Sequence, residues 1–208
     1  MNWEALLSTQ KLGNDEKEPE EFSRYPMNEF EKDYNKIVSS SAFRRLQDKT
    51  QVFPLDKSDF IRTRLTHSIE VSTVARQLGI MLSKNRTHYR PADINAEAAE
   101  GILAKARYHS GINLSAAVIS TLVKYPTDSC SFDKDSPDIK KHKLGYFAAE
   151  EETLRTLSQI TGTMDAGNNL CRHPLTYILE AADDIAYATA DLEDAFKKNL
   201  FTLDEFTD

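Results

Sequence analysis

Three side chains near the end of the sequence have types and a spacing that could serve chemistry. Asp183, Tyr187 and Asp191 recur at every fourth position of the segment LTYILEAADDIAYATADLEDAFKK. On an α-helix this spacing places all three on one side. A row of carboxylate, phenol and carboxylate could border a polar cavity and bind a cation or a hydroxyl group. It could equally be a solvated acidic face, since Glu180 and Asp184 add charge nearby.

A histidine lies on an apolar helix face in the first half of the chain. His67 is one turn before an apolar stripe at helical spacing, formed by Val71, Val74, Leu78 and Leu82. A histidine in such a position is commonly a core residue whose ring nitrogens are hydrogen-bonded, but it is also a frequent metal ligand. The residues alone leave both roles open.

Two basic residues have positions from which they could contact an anion. Arg64 is three residues before His67, and its guanidinium group could bind phosphate oxygens with two parallel hydrogen bonds. It could instead form a surface ion pair with Asp59 or Glu70. Lys124 ends the apolar segment LSAAVISTLVK, where it could reach a phosphate or only favour the negative end of the helix dipole.

The elements that must position these residues are predicted to be helices. Glycine and proline are sparse at seven residues each, and apolar residues recur at helical spacing, so we expect an all-α fold. The first 27 residues are predicted to form an acidic N-terminal arm, and residues 28–208 one domain. Predicted helices cover residues 28–46 (as one helix or two short ones), 62–83, 96–109, 114–124, 143–158 and 175–198, the last with an apolar stripe of Leu175, Ile178, Leu179, Ala182, Ile185, Ala186 and Leu192.

The composition restricts the class of protein. The 208 residues are 40% hydrophobic and 28% charged, and no apolar run is long enough for a membrane span. The N-terminus does not have the pattern of a secretory signal. Cys130 and Cys171 lie far apart in dissimilar contexts, which favours a reducing, cytoplasmic setting over a disulfide framework. The net charge of −7 argues against broad nucleic-acid binding.

Three segments, taken in order, resemble one family. They are SSSAFRRLQDKTQVFPL with RTRLTHSIEVSTVARQLG, then KYP with KLGYFAAEE, then LEAADDIAYATADLEDA. Together they resemble the deoxyguanosine triphosphate triphosphohydrolases, the dNTPase branch of the HD-domain phosphohydrolases, over roughly residues 28–200. The resemblance implies an HD-domain-like helical bundle. It also implies hydrolysis of deoxynucleoside triphosphates, with dGTP the expected substrate, to deoxynucleoside and intact triphosphate.

The resemblance also assigns roles to individual residues. It implies that His67 is the first and Asp183 the last protein ligand of a divalent ion, Mg²⁺ or Mn²⁺. A bound ion of this kind polarises phosphate oxygens and lowers the pKa of a bound water. The residues implied to line the deoxyribose pocket are Gln47, Tyr187 and Asp191, and those implied to hold the triphosphate are Arg64 and Lys124. The family further suggests a cytoplasmic homo-oligomer and, less directly, a single-stranded DNA effector.

The sequence departs from the family pattern at its catalytic centre. The family carries an adjacent His-Asp pair and a further catalytic histidine between the first and last metal ligands, and no His-Asp dipeptide occurs here. The five histidines are His67, His88, His109, His142 and His173. One explanation is a missing internal stretch, favoured by abrupt joins near Asn85 and Ala99, with a C-terminal part missing too. The other is a degenerate homologue in which His88 and Asp93 substitute, five residues apart in a proline-containing loop.

Two further hypotheses compete with the enzyme. The first is a catalytically inactive dNTP-binding or regulatory module, which would bind dNTPs even in the presence of a chelator. The second is a purely structural helical module of an oligomer, with the acidic row of Asp183, Tyr187 and Asp191 solvated. That module would bind no dNTP and would tolerate Asp183→Ala and Tyr187→Phe.

Overall fold

Helices form all the regular secondary structure of the described part of the chain in the computed structural model. The structure describes residues 2–12, 27–51, 62–84, 112–202 and 204–205. Over these ranges there is no β-strand, and the all-α prediction is confirmed. The helices are α1 (Trp3–Leu6), α2 (Glu29–Val38), α3 (Ser41–Arg44), α4 (Arg64–Lys84), α5 (Ala116–Leu122), α6 (Glu151–Thr161) and α7 (Pro174–Lys197), with 3₁₀ turns at Arg45–Asp48, Ile139–His142 and Ala148–Glu150.

Local sequence signals set both ends of α7. Pro174 occupies the first turn, where its missing N–H costs no helical hydrogen bond, and the His173 side chain caps the helix by accepting from the backbone N–H of Leu175. Lys197 lies in the last turn, where a cation favours the helix dipole. Asn199, just beyond the helix, has a φ of 55° and turns the chain away. The predicted helix is confirmed to within one residue.

The two long helices, α4 and α7, run antiparallel and share the core. Small alanines on both helices allow their backbones to approach closely. The buried cluster between them and α5 consists of Val71, Ala75, Leu122, Leu179, Ala182 and Ala186. The predicted stripes are too wide, because Ile185, Leu192 and Leu82 are 43%, 45% and 49% exposed. At about 100° per residue, Ile185 and Leu192 lie on the flank of Ala182 away from Leu179.

The predicted helical region 28–46 forms two helices, α2 and α3. Asn28 caps α2 in a reciprocal pair of hydrogen bonds with Glu31. Phe30 and Ile37 of α2 are buried in a second core cluster with residues of α5 and the segment before it. The short helix α5 is therefore buried from both sides, as its continuous apolar sequence predicts.

The N-terminal residues pack onto the fold, although the sequence predicts a polar arm. Leu6 of α1 is buried, and its carbonyl accepts a hydrogen bond from Nε2 of His173 at 2.9 Å. The backbone N–H of Ala116 donates to the carbonyl of Gln10 at 2.7 Å, so this segment also pairs with the start of α5. The domain boundary near residue 27 stays a prediction.

The chain before α6 is not α-helical where the sequence predicts a helix from residue 143, and only the 3₁₀ turn at Ala148–Glu150 precedes α6 there. Gly145 lies against the backbone of Tyr125, where a Cβ atom would come within 1.5 Å of the Tyr125 carbonyl oxygen. The Gly145 N–H donates to the carbonyl of Thr127 at 2.9 Å, so the chain around Gly145 is bound to the segment that follows α5. The helix α6 begins only at Glu151. The predicted helix 96–109 lies outside the described residues. None of the described helices has the length and apolar character needed to cross a bilayer.

Candidate functional site

A histidine and an aspartate meet where α4 and α7 cross. Nε2 of His67 lies 2.9 Å from Oδ1 of Asp183, and the His67 side chain is only 1% exposed. The ring of Tyr187, one turn after Asp183, lies 4.4 Å from the His67 ring. The antiparallel packing of the two helices brings these three side chains together, because His67 faces α7 from the same stripe that carries the core residues.

A lysine approaches the same carboxylate from a third element. Nζ of Lys124, just beyond the end of α5, lies 3.7 Å from Oδ2 of Asp183. The carboxylate of Asp183 therefore has the His67 imidazole at one oxygen and an ammonium group at the other. The Lys124 side chain is partly exposed, so it remains accessible to a molecule entering from solvent.

A cavity of about 430 Å³ lies beside the contact of His67 with Asp183, and Lys124 and Tyr187 line it. This volume lies within the range of small-molecule binding sites. Leu122 and Leu179 contribute core side chains to its apolar wall. The described residues that line it are Leu46, Gln51, Arg64, Ser68, Leu122, Lys124, Tyr125, Leu144, Gly145, Leu179 and Tyr187. Of the residues singled out from the sequence, Arg64, Lys124 and Tyr187 are thus brought together at one cavity.

A glutamine that the sequence analysis did not select lies in this cavity. Nε2 of Gln51 donates a hydrogen bond to the hydroxyl of Tyr187. Its Oε1 is buried without a hydrogen-bond partner among the described residues. Gln47 and Asp191 are exposed, and neither is among the described residues that line the cavity. Their role in sugar binding stays a prediction.

Backbone pairing explains why Gln51 reaches the cavity. The Arg45–Asp48 turn ends the helical region, and the chain then pairs with the start of α4. The N–H of Gln51 donates to the carbonyl of Arg62 at 3.0 Å, and the N–H of Arg64 donates to the carbonyl of Lys49 at 2.8 Å. In QDKTQV the two glutamines are equivalent as residue types, so only this pairing distinguishes them.

Tyr125 and its neighbours were also missed as site residues. Tyr125 lines the cavity beside Leu144 and Gly145. Nζ of Lys143 lies 5.1 Å from the centre of the Tyr125 ring, and its hydrogen bond to the Tyr125 hydroxyl raises the pKa of the Lys143 ammonium group. The glycine in the KLGYF segment is the sequence feature that could have indicated this site, because Gly145 packs against the Tyr125 backbone, where a side chain would not fit.

His67 and Asp183 offer two side chains of the kinds that bind divalent ions. Imidazole and carboxylate are ligand types that Mn²⁺ and related ions accept, and His67 and Asp183 lie next to each other. Across the described ranges, no group of three or more histidine, cysteine, aspartate or glutamate side chains is placed to hold an ion. His67 and Asp183 could supply two ligands, and an ion bound there would need its remaining ligands from water and phosphate oxygens.

The chain is similar to several curated proteins over most of its length. A deoxyguanosinetriphosphate triphosphohydrolase-like protein of Listeria monocytogenes is 35% identical over 84% of this chain, and one of Synechocystis is 31% identical over 94%. A deoxyguanosinetriphosphate triphosphohydrolase of Yersinia enterocolitica is 28% identical over 86%. This chain is a relative of the deoxyguanosinetriphosphate triphosphohydrolases. The resemblance predicted from the three motifs is confirmed, while no family model matches the chain.

The relatives are longer than this chain, and part of the difference is internal. The chain spans 51%, 60% and 52% of the Listeria, Synechocystis and Yersinia proteins. The alignment with the Listeria protein extends over 246 positions, whereas this chain has only 208 residues. The alignment must therefore contain positions of the Listeria protein that have no counterpart here. That the His-Asp pair lies among those positions stays a prediction.

Proposed function

We propose that this chain binds deoxynucleoside triphosphates, dGTP in particular, and hydrolyses them to deoxynucleoside and triphosphate with the help of Mg²⁺ or Mn²⁺. The observation that carries the proposal is the contact of His67 with Asp183 beside a cavity that is lined by Arg64, Lys124 and Tyr187. The names of the relatives support the same reaction and the same substrate.

The triphosphate would lie beside the cationic residues of the cavity. Arg64 and Lys124 line it from α4 and from the end of α5, and both can donate charge-assisted hydrogen bonds to phosphate oxygens. When bound by His67 and Asp183, the divalent ion would polarise a phosphate and lower the pKa of a water. Lys124 would balance the charge of Asp183 and contact the same phosphate.

The sugar would lie beside the glutamine–tyrosine pair. Oε1 of Gln51 is a buried acceptor with no hydrogen-bond partner in the described residues, so a sugar hydroxyl could donate to it. The Tyr187 ring, fixed by its contact with His67 and its hydrogen bond from Gln51, would lie under the deoxyribose. A ring packed under the sugar would leave little room for a 2′-hydroxyl, which would favour deoxynucleotides.

A second candidate is a dNTP-binding module without catalysis. The ammonium group of Lys124 beside Asp183 favours it, because a resident cation already compensates the carboxylate that a metal ion would bind. The absence of a His-Asp dipeptide from the sequence favours it as well. Such a module would hold the triphosphate through Arg64 and Lys124 alone.

The proposal includes a cytoplasmic location and a homo-oligomeric state, as the family resemblance implies. Cys130 and Cys171 are both free and exposed, which suits a reducing compartment. The single-stranded DNA effector has no support beyond the resemblance.

The two candidates are separated by one experiment on the full chain. Incubation with dGTP and Mn²⁺ should release triphosphate and deoxyguanosine in equal amounts, and a chelator should stop the release. Binding of dGTP that persists in the chelator without any release would support the inactive module. If dGTP is neither bound nor cleaved, both candidates are wrong.

A further inference from the structure

An arginine outside the cavity lies between two tyrosine rings. The guanidinium carbon of Arg172, two residues before α7, is 4.4 Å from the centre of the Tyr177 ring and 5.3 Å from that of the Tyr125 ring. Contacts of this kind are attractive because the ring faces carry partial negative charge. Tyr177 is exposed on the outer side, whereas Tyr125 is on the inner side and lines the cavity.

A glutamate of α7 joins the arginine to the inner tyrosine. Oε2 of Glu180 forms an ion pair with Nη2 of Arg172, and Oε1 of Glu180 accepts a hydrogen bond from the Tyr125 hydroxyl at 3.4 Å. The ion pair is a charge contact without hydrogen-bond alignment, since Nε and Nη2 of Arg172 make no hydrogen bond within the described residues. Tyr125 is therefore held by its ring face and by its hydroxyl.

Partial burial of the Arg172 charge costs free energy, which indicates that this arrangement has a role beyond packing. The Arg172 side chain is 18% exposed, so its guanidinium group has lost most of its hydration, and the Glu180 carboxylate is the one anionic group paired with it among the described residues. The second cation, Lys143, lies over the same Tyr125 ring at 5.1 Å. Two cations and one carboxylate therefore surround the Tyr125 side chain at the wall of the cavity.

We propose that Arg172 is a positioning residue, which acts through Tyr125 and Glu180 to hold the Tyr125 ring against the cavity where the triphosphate of a dNTP binds. The inference rests on the proposed function for the identity of the ligand. The positioning of Tyr125 itself rests on the contacts alone. Without the guanidinium group, the Tyr125 ring keeps the contact with Lys143 and the long hydrogen bond to Glu180 but loses the group packed against its face, so it can rotate away from the cavity.

The experiment uses the full chain with 3-fluorotyrosine at position 125. Arg172→Met removes the charge and the planar group, while Arg172→Lys keeps the charge and loses the stacking. Arg155→Met is the matched control, because Arg155 forms an exposed ion pair with Glu151 within α6. The ¹⁹F resonance of residue 125, the melting temperature and the affinity for dGTP are measured for each variant.

The Arg172→Met resonance should move and broaden, with affinity for dGTP weakened roughly tenfold. Arg172→Lys should fall between Arg172→Met and wild type, and Arg155→Met should match wild type. A lower melting temperature with unchanged resonance and affinity would overturn the proposal, since it would show a structural role only. If the wild-type chain binds no dGTP, the proposed function is wrong, and the resonance alone decides whether Arg172 positions Tyr125.

Discussion

The imidazole of His67 and the carboxylate of Asp183 are separated by 116 residues of sequence and lie 2.9 Å apart. This contact joins α4 and α7, the two longest of the described helices, at the point where their shared core meets the cavity. Taken separately, His67 could be an ordinary core histidine and Asp183 part of a solvated acidic helix face. Their contact makes both part of one site.

Asp183→Asn should abolish the release of triphosphate, whereas Asp184→Asn should not. Asp184 is the adjacent carboxylate and is exposed, so the pair of variants carries the same chemical change. A metal ion is worth several kcal/mol in stabilising the transition state, so turnover by Asp183→Asn should fall by about a hundredfold or more. Initial rates with dGTP and Mn²⁺ measure this. Equal activity of the two variants would contradict the assignment of Asp183.

Gln51→Leu should weaken dGTP binding, and Gln47→Leu should leave it within about twofold. Gln51 loses its hydrogen bond to Tyr187 and its buried acceptor, changes worth about 1 kcal/mol or more, or roughly five- to tenfold in affinity. Gln47 is exposed and outside the cavity lining. Equilibrium dialysis with labelled dGTP distinguishes the two. The reverse order of effects would favour the glutamine chosen from sequence.

These two glutamines illustrate what the sequence could and could not provide. Helix positions follow from local periodicity and capping, so the sequence predicts α7 to within one residue and a helical region at residues 28–46, while it leaves open whether that region is one helix or two. The residues that reach the cavity depend on tertiary pairing, here between residues 49–51 and the start of α4. Residue type does not encode this pairing. Gly145 likewise delays the start of the helix predicted from residue 143, because it packs against the backbone of Tyr125, which lies 20 residues earlier in the sequence.

Two leucines of α7, both predicted to face the core, should respond differently to truncation. Leu179 is buried between α4 and α5, so Leu179→Ala should lower the free energy of unfolding by about 2–5 kcal/mol. Leu192 is largely exposed, and Leu192→Ala should change it by about 0.5 kcal/mol or less. Urea denaturation of both variants tests this. A large loss for Leu192→Ala would mean that this exposed face is covered in solution.

The buried histidine that caps α7 should make stability depend on pH. Nδ1 of His173 accepts from the N–H of Leu175, and Nε2 donates to the carbonyl of Leu6, so the ring must be neutral. Burial lowers the pKa of His173 below its ordinary value of 6.5, and the unfolded chain therefore binds the proton more readily. The stabilisation is complete above pH 6.5 and is lost as the pH falls below it.

Denaturation curves between pH 8 and pH 5 measure this effect. His173→Asn retains a residue type that can cap a helix and removes the titrating group. The unfolding free energy of the wild type should fall more steeply below pH 6.5 than that of His173→Asn. Parallel pH profiles for the two proteins would show that His173 does not control the acid sensitivity.

The most direct test of the central claim is a calorimetric titration of the full chain with dGTP in the presence of Mn²⁺, under conditions where turnover is slow. The account predicts saturable binding of one dGTP per chain, which Lys124→Met weakens and Lys198→Met, at the exposed end of α7, does not. No saturable binding by the wild-type chain at millimolar dGTP, or equal binding by both variants, would contradict a triphosphate site formed by Asp183, Lys124 and Arg64.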